Sequence, residues 1–316
     1  MSVLISICCI TYNQEPYITQ CLEGFMEQKT DFDFEVLIHD DASSDNTSKI
    51  IRDFEKRYPT KIKPIYQIEN QYSHGVRGIN PRFNFARAKG KYIALCEGDD
   101  YWTDENKLQK QVDFLEQNKE YSLVCHDYGI CKMEDGKLKE EANLEVEKEK
   151  DRYVNDYKID LSNWSNPYLL KTCTVMFRRE LFDVSIAKKY KHFKDGFLWV
   201  ALLNHFPGKY LNEKMAVYRV SESGIWSMQS ELNREAANAR TGFEMNQYFK
   251  GKNTFIYSFA RTCILKTLAL LNQEGGEKNK KMIREFETKY LITTFKNNSW
   301  YYNLAHLKKI IMLYLV

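Results

Sequence analysis

Three carboxylates that follow one short apolar segment are the strongest indication of chemistry in this sequence of 316 residues. The run from Tyr92 to Cys96 is typical of a buried strand, and Glu97, Asp99 and Asp100 come directly after it. Acids this close repel one another unless a cation lies between them, and carboxylate oxygens suit Mg²⁺ or Mn²⁺. The pattern therefore predicts a divalent-metal site that could hold a diphosphate. A turn leading into a helix start at Thr103 to Glu105 is the alternative interpretation.

The segments before these acids alternate between strand-like and helix-like patterns. Val3 to Ile10 is a continuous apolar run, as expected for a strand covered on both faces, and Phe34 to His39 is predicted as the second strand. A helical pattern follows each run, and Ser43 or Ser44 could cap the second helix. A shorter strand is predicted near residues 61–67. This alternation predicts a parallel, doubly wound sheet, in which ligands bind beyond the carboxyl ends of the strands.

Composition narrows the classes of function. A net charge of +3 with 28% charged residues is nearly balanced, which argues against a nucleic-acid binder, and 43% hydrophobic residues can form a sizeable core. The eight cysteines show no CxxC spacing, so we expect reduced core thiols of a cytosolic protein. Neither a GxGxxG nor a Walker lysine motif is found, so phosphate binding would have to come through a metal.

The second half of the chain has weaker patterns. Lys132 to Arg152 contains 14 charged residues out of 21, which predicts a solvated hairpin or loop, with a substrate-gating lid as the alternative. Asp195 precedes a helical pattern, and Lys209 to Val220 is interpreted as strand, turn and strand. From residue 229 onward helical patterns dominate.

Two further expectations concern membranes. The sequence shows neither a secretory signal nor 18 consecutive apolar residues, so we expect no membrane span. The tail from Trp300 to Val316 combines aromatic, aliphatic and basic residues. It could pack on the body of the protein or on a second copy in a homodimer, or it could lie as an interfacial helix on a membrane surface.

Taken in order, several motifs resemble the inverting family 2 glycosyltransferases with the GT-A fold. The resemblance covers about residues 1–228. It rests on Thr11-Tyr12-Asn13 after the first strand, on Ile38 to Thr47 at the end of the second, and on Glu97-Gly98-Asp99 as the Asp-x-Asp element. It implies an α/β, Rossmann-like, mostly parallel sheet with a nucleotide-sugar half at about 1–104, an acceptor half at about 105–228, and a helical C-terminal extension at 229–316.

The resemblance also implies roles for the first two loops. Tyr12 would lie against the nucleobase and Asp41 would accept a hydrogen bond from it, which suits the N–H of uracil. Thr11, Asn13 and Glu15 would complete this part of the nucleotide-sugar site.

The remaining roles concern metal, phosphate and proton transfer. Asp99 would be the principal ligand of Mn²⁺ or Mg²⁺, with Glu97 beside it and Asp100 in the nucleotide-sugar site. Arg77 or Arg219 could meet phosphate. Asp195 would be the general base that deprotonates the acceptor hydroxyl as it attacks the anomeric carbon.

Three residues depart from the family pattern. Glu97 replaces the first Asp of the Asp-x-Asp element, which leaves its direct ligation of the metal open. Ala42 stands where Gly is usual, and we expect it to be tolerated with a negative φ. Ser221 lies near a position where many relatives carry His, so a contact from that loop could be missing.

These observations predict an inverting transferase of bacterial surface-polysaccharide synthesis, in the cytoplasm or at the inner face of the membrane. It would move a sugar from a nucleotide-sugar, with UDP-sugar favoured, to a glycan or lipid-linked acceptor. Two alternatives are a catalytically degenerate subunit that binds nucleotide-sugar or glycan, and a sugar-1-phosphate nucleotidyltransferase.

Overall fold

The structure is a computed structural model and describes residues 3–134, 137–141, 157–166, 169–220, 229–274 and 277–296. Within these ranges the strands form one 10-stranded sheet. They are β1 (Val3–Thr11), β2 (Asp33–Asp40), β3 (Ile62–Tyr66), β4 (Tyr92–Leu95), β5 (Tyr101–Trp102), β6 (Leu123–Glu134), β7 (Lys137–Glu141), β8 (Lys158–Ile159), β9 (Met176–Arg178) and β10 (Gly208–Val220).

The strand order is β3-β2-β1-β4-β9-β6-β10-β5, with β7 beside β6 and β8 beside β10. Strands β3, β2, β1 and β4 are parallel neighbours, and β10 runs parallel to β6 over the longest pairing in the sheet. Short antiparallel pairings place β9 between β4 and β6. The predicted α/β architecture with a mostly parallel sheet is therefore confirmed.

Helices connect and cover the strands. They are α1 (Glu15–Met26), α2 (Thr47–Arg57), α3 (Lys107–Gln117), α4 (Ser185–Lys189), α5 (Asp195–Leu203), α6 (Glu231–Tyr248), α7 (Thr254–Glu274), α8 (Glu277–Glu285) and α9 (Thr293–Lys296). Single helical turns occupy Asn80–Asn84, Phe85–Arg87, Thr172–Thr174 and Arg179–Leu181, and Phe286–Ile292 is π-helical. Because α1 and α2 cover the sheet beside them, the apolar runs of β1 and β2 are buried along most of their length, as predicted.

The start of α2 differs from the prediction. Neither Ser43 nor Ser44 caps the helix, whose first residue is Thr47. The Ser43 hydroxyl donates instead to Asp40 Oδ1 at 2.5 Å, and the Thr47 N–H donates to Asp45 Oδ1 at 2.9 Å. The Ser43 hydroxyl is therefore bound to the carboxylate at the end of β2, and Asp45 accepts from the first N–H group of the helix in its place.

The predicted strand, turn and strand over residues 209–220 is wrong. β10 is one strand, and its register with β6 shifts between Leu211 and Lys214 and again between Lys214 and Ala216. These bulges bend the strand without ending it. The predicted charged hairpin is present in its first part, where β7 pairs with β6, and residues 142–152 lie outside the described part of the chain.

The chain divides into two compact units, Met1–Glu222 and Ser223–Val316, close to the predicted boundary at residue 228. In the second unit α6 and α7 pack together, and Phe286 and Tyr290 complete a separate hydrophobic core. One described helix, α7, is long and apolar enough to cross a membrane by length and composition alone, and 44% of the relevant window is buried in the protein. The tail at 300–316 lies outside the described residues.

Candidate active site

The acidic residues lie where the sheet topology places them. β1, β2 and β4 are parallel, so their carboxyl ends meet at one edge, and Glu97, Asp99 and Asp100 follow β4 at that edge. We call these three residues the acidic edge. Gly98 between them is packed against the end of β1, since a Cβ there would lie 2.8 Å from Thr11 Oγ1 and 2.5 Å from Gln14 Oε1. Glycine therefore lets the acidic edge approach β1 this closely.

The carboxylates of the acidic edge are close together and partly shielded from water. One oxygen from each lies within 4.8 Å of the others, and Asp100 is buried. Burial raises the pKa of Glu97 well above its ordinary value, and the charges of Asp195, Asp99 and Asp100 raise it further. Burial and the charge of Asp99 likewise raise the pKa of Asp100. The site thus holds negative charge that the protein only partly compensates.

Arg219 supplies that partial compensation from the end of β10. Its backbone N–H donates to Asp100 Oδ1 at 2.8 Å, and its Nη1 donates to the Asp99 carbonyl at 2.6 Å. The guanidinium also donates to Gln20 and lies 4.3 Å from the ring centre of Tyr101. Arg219 is therefore buried against the acidic edge, where its charge stabilises the ionised form of both aspartates.

The donor set suits a hard divalent cation. Asp99 Oδ1 and Asp100 Oδ2 are buried and have no hydrogen-bond partner among the described residues. A buried carboxylate oxygen without a partner is costly, and a metal ion would satisfy it. Three carboxylates at this spacing are the oxygen ligands that Mg²⁺ and Mn²⁺ prefer. The longer side chain of Glu97 reaches the same cluster, so the replacement of Asp by Glu leaves the ligand set intact.

Side chains join the loops after β1 and β2 into what we call the loop network, Asn13–Glu15 with Ser43–Thr47. The N–H of Asn13 donates to Ser43 Oγ at 2.9 Å, and Asn13 Oδ1 accepts from the Ser44 N–H at 2.8 Å. The N–H of Gln14 donates to Thr47 Oγ1 at 2.8 Å. These bonds fix the two loops at the edge of the sheet that carries the acidic residues.

Glu15, predicted as part of the nucleotide-sugar site, belongs to this network. Its Oε1 accepts from the Asn46 side-chain amide at 2.7 Å, and its Oε2 accepts from the Asn46 N–H at 3.0 Å. The Glu15 N–H in turn donates to Asp45 Oδ2 at 3.0 Å. Glu15 thus holds the second loop in place.

Tyr12 and Asp41, the predicted nucleobase contacts, lie at the ends of β1 and β2. Tyr12 is 41% exposed, so one face of its ring is open for stacking. Asp41 is buried, and its two oxygens accept from the N–H groups of Gln71 and Tyr72 at 2.8 and 3.0 Å. His39 Nε2 also lies 3.3 Å from Oδ1, so the second lone pair of Oδ2 is the one left to accept from a ligand.

Ala42 contradicts the expectation of a negative φ. Its φ is 64°, in the left-handed region that disfavours a Cβ. Asn13 also has a left-handed φ, of 50°, which asparagine tolerates better than alanine. The loop after β2 therefore needs a glycine-like conformation at residue 42 and accommodates alanine at a cost in stability.

Arg77, the other predicted phosphate contact, is held within its own loop. Its Nη1 donates to the carbonyls of Tyr72 and Val76 at 2.9 and 3.0 Å, and its guanidinium lies 3.9 Å from the ring centre of Tyr72. Since Tyr72 donates to Asp41, this arginine supports the loop that packs on Asp41.

Asp195 begins α5 and faces the acidic edge from the other half of the sheet. It lies close enough to Glu97 for its charge to raise the pKa of Glu97. Asp195 is exposed to solvent on one side, but the protein packed around its carboxyl group raises the pKa of Asp195. The Thr172 hydroxyl donates to Oδ2 at 3.3 Å and partly opposes this rise. A carboxylate that is accessible and has a raised pKa is suited to accept a proton.

Sequence reasoning missed two residues of the site. The Gln14 side chain lies close enough to Asp99 to lower the pKa of its carboxyl group, and Lys171 lies near Asp100, whose charge acts on it. Gln14 lies between Asn13 and Glu15, which were assigned to the site, and Lys171 directly precedes Thr172, which contacts Asp195. Position along the chain was therefore the signal that could have identified both residues. Ser221 lies outside the described residues.

The sequence of this chain is also similar to those of known proteins. A sequence profile described as Glycosyl transferase family 2 matches residues 6–211, which include the acidic edge, the loop network and Asp195. The chain belongs to glycosyl transferase family 2. The family assignment favours sugar transfer over the nucleotidyltransferase alternative.

Relatives and a solved structure agree with the family. The uncharacterized protein Rv1520 of Mycobacterium tuberculosis is 36% identical over 227 residues, 70% of this chain but only 60% of that relative's length. The Escherichia coli protein named UDP-Glc:alpha-D-GlcNAc-diphosphoundecaprenol beta-1,3-glucosyltransferase WfgD is 29% identical over 241 residues, 73% of this chain and 83% of WfgD. The crystal structure of S. aureus TarS 1–349 in complex with UDP-GlcNAc superposes with a TM-score of 0.56 and 15% identity, covering 95% of this chain and 94% of TarS. The family 2 chain therefore has the GT-A fold.

Proposed function

We propose that this family 2 protein transfers a sugar from a UDP-sugar to a lipid-linked saccharide acceptor in bacterial surface-polysaccharide synthesis, with inversion at the anomeric carbon. The observation that carries the proposal is the meeting of the acidic edge and Asp195 at one edge of the sheet. WfgD and TarS support the donor and acceptor classes by their names.

Each residue has a task in this proposal. Tyr12 stacks on the nucleobase, and Asp41 accepts its N–H. Asp99 and Glu97 would hold a divalent cation, which when bound neutralises charge on the departing diphosphate. Asp195 takes the proton of the acceptor hydroxyl, and Thr172 orients its carboxylate.

The location follows from the acceptor. A lipid-linked substrate would require the protein to work at the inner face of the cytoplasmic membrane. The tail at 300–316 could bind the membrane directly, or a partner protein, such as a second copy of this chain, could hold the enzyme there. Liposome binding that is lost on deleting residues 300–316 would support the tail, and unchanged binding would exclude it.

The donor is tested by a thermal-shift panel of UDP-, GDP-, CMP- and dTDP-sugars with and without Mn²⁺. A ligand at 100 times its dissociation constant adds about 2.7 kcal/mol of stability. That should raise the melting temperature on the order of 5 to 10 °C. We expect a Mn²⁺-dependent shift with UDP-sugars that Asp99→Ala abolishes.

No shift with any donor would favour the degenerate binding subunit, or a protein that binds its acceptor first. Stereochemistry is read from the product by NMR coupling. An α linkage formed from an α-linked donor would contradict inversion.

A further inference from the structure

Lys171 is a half-buried lysine with no counter-ion in the described structure. Its Nζ lies 4.8 Å from the ring centre of Tyr218 and 5.9 Å from that of Tyr128. Across the described ranges, no carboxylate lies within ion-pair distance of this ammonium group. Burial lowers the pKa of Lys171, while the charges of Cys173 and Asp100 act in the opposite direction.

The backbone that carries Lys171 is fixed. Its carbonyl accepts from the N–H of Thr174 at 2.9 Å, and the carbonyl of Cys173 accepts from Trp102 Nε1 at 2.9 Å. The next residue, Thr172, donates to Asp195. The turn that holds Lys171 therefore also carries the residue that contacts the proposed base, and the rings beside the ammonium group, Tyr128 and Tyr218, belong to the predicted acceptor half.

A desolvated ammonium group is costly unless it meets an anion. Asp100 is near but is not an ion-pair partner of Lys171. Its Oδ1 accepts from the Arg219 N–H, and no described residue donates a hydrogen bond to its Oδ2. The anion must then come from a ligand. Lysine binds phosphate as a point charge.

We propose that Lys171 binds a phosphate oxyanion of a substrate on the acceptor side of the acidic edge. This inference rests on the proposed function. The acceptor's diphosphate is the favoured source, because Lys171 and the two rings beside it, Tyr128 and Tyr218, lie in the predicted acceptor half and not in the loop network. The donor's diphosphate is the other source of the same chemistry.

The test compares wild type with Lys171→Met, which keeps the apolar stem and removes the charge, and with Lys171→Arg, which restores it. Lys189→Met is the matched control, since Lys189 lies 5.5 Å from the ring centre of Tyr190 on an exposed part of α4. Melting temperatures of all variants establish that they are folded.

The donor arm measures binding of UDP and of uridine in the presence of Mn²⁺. The acceptor arm measures KM for N-acetylglucosaminyl diphosphate carrying a short alkyl chain, and for the neutral alkyl glycoside. We expect Lys171→Met to raise KM for the charged acceptor about 10-fold or more, the usual effect of losing a hydrogen bond to a charged group. UDP binding and KM for the neutral glycoside should stay unchanged, and Lys171→Arg should recover most of the loss.

If Lys171→Met weakens UDP but not uridine, the oxyanion site stands and its phosphate comes from the donor. If neither charged probe is affected while wild type binds UDP, the assignment of Lys171 is overturned and the proposed function survives. If wild type binds no nucleotide-sugar and shows no transfer, the proposed function itself fails and this inference fails with it.

Discussion

The loop network and the acidic edge lie side by side but satisfy their polar groups in different ways. In the loop network, Asn13, Gln14 and Glu15 each donate a backbone N–H to a side chain of the facing loop. At the acidic edge, Asp99 and Asp100 each keep a buried oxygen that no described residue satisfies. The polar groups of the loop network hold the two loops in position, whereas the unpaired oxygens of the acidic edge are available to a ligand. Stability should therefore respond to changes in the first region, and activity to changes in the second.

The largest effect on activity should come from Asp195→Asn, beside the acidic edge. Loss of a general base lowers kcat by about 10²- to 10⁴-fold. UDP binding should stay unchanged, because Asp195 faces the acceptor. Initial transfer rates and thermal shifts measure the two quantities separately.

The control for this variant is Asp183→Asn, another aspartate near a helix start in the acceptor half, whose carboxylate accepts from Ser185. Equal turnover of donor by wild type and Asp195→Asn, including none by either, would remove the support for this base.

A second effect concerns Lys107, which is fully buried behind the acidic edge. Its Nζ donates to Gln111 Oε1 at 2.7 Å and lies 4.0 Å from the Trp102 ring centre, and burial lowers the pKa of Lys107 to about 7. The unfolded chain then binds the proton more tightly than the folded one. The contribution of Lys107 to stability should therefore rise by on the order of 3 kcal/mol from about pH 7 to about pH 10.

Urea unfolding across this pH range measures the contribution as the difference in stability between wild type and Lys107→Met. The absolute stability of both proteins also falls above about pH 8.5, because burial raises the pKa of five cysteine thiols. Lys56→Met, at an exposed lysine of α2, should follow wild type. A difference between wild type and Lys107→Met that stays constant over this range would show that Lys107 keeps its proton when the protein folds.

In the loop network, Asn13→Ala should lower the free energy of unfolding by about 1 to 2 kcal/mol. The substitution removes the acceptor for the Ser44 N–H and places alanine at a left-handed φ. Asn13→Asp keeps the acceptor and tolerates that φ, so it should stay near wild type. Chemical unfolding without nucleotide measures the difference, and equal losses in the two variants would mean that this hydrogen bond contributes little.

The smallest effect is a gain from Ala42→Gly. Glycine removes a left-handed penalty of about 1 to 2 kcal/mol but adds freedom to the unfolded chain, so we expect a net gain of about 0.5 to 1 kcal/mol. Ala88→Gly is the control, because Ala88 has an ordinary extended conformation and should lose stability there. A loss at both positions would indicate that the loop relaxes around Ala42.

The sequence predicts the sheet and the acidic edge well because both depend on local pattern. Apolar residues concentrated in short segments identify β1 and β2, and acids after β4 must lie at the carboxyl edge of a parallel sheet. The conformation of Ala42 is less accessible, since it depends on how the loop folds over Asp40, whose carboxylate accepts from both the N–H and the hydroxyl of Ser43.

The positions of Arg219 and Lys171 depend on contacts between distant segments. Arg219 reaches Asp99 across 120 residues of chain. The antiparallel insertion of β9 between β4 and β6 brings the turn with Lys171 beside the acidic edge. No local periodicity encodes either arrangement.

The two bulges of β10 have a consequence for how this chain could change in length. The extra residues between Leu211 and Ala216 lie before the regular pairing that runs from Ala216 to Val220. An insertion or deletion within the bulges can be absorbed there, while one after Ala216 would shift the register and turn Tyr218 and Arg219 to the opposite faces of the sheet. Natural and engineered length variation should therefore be tolerated before Ala216 and excluded after it.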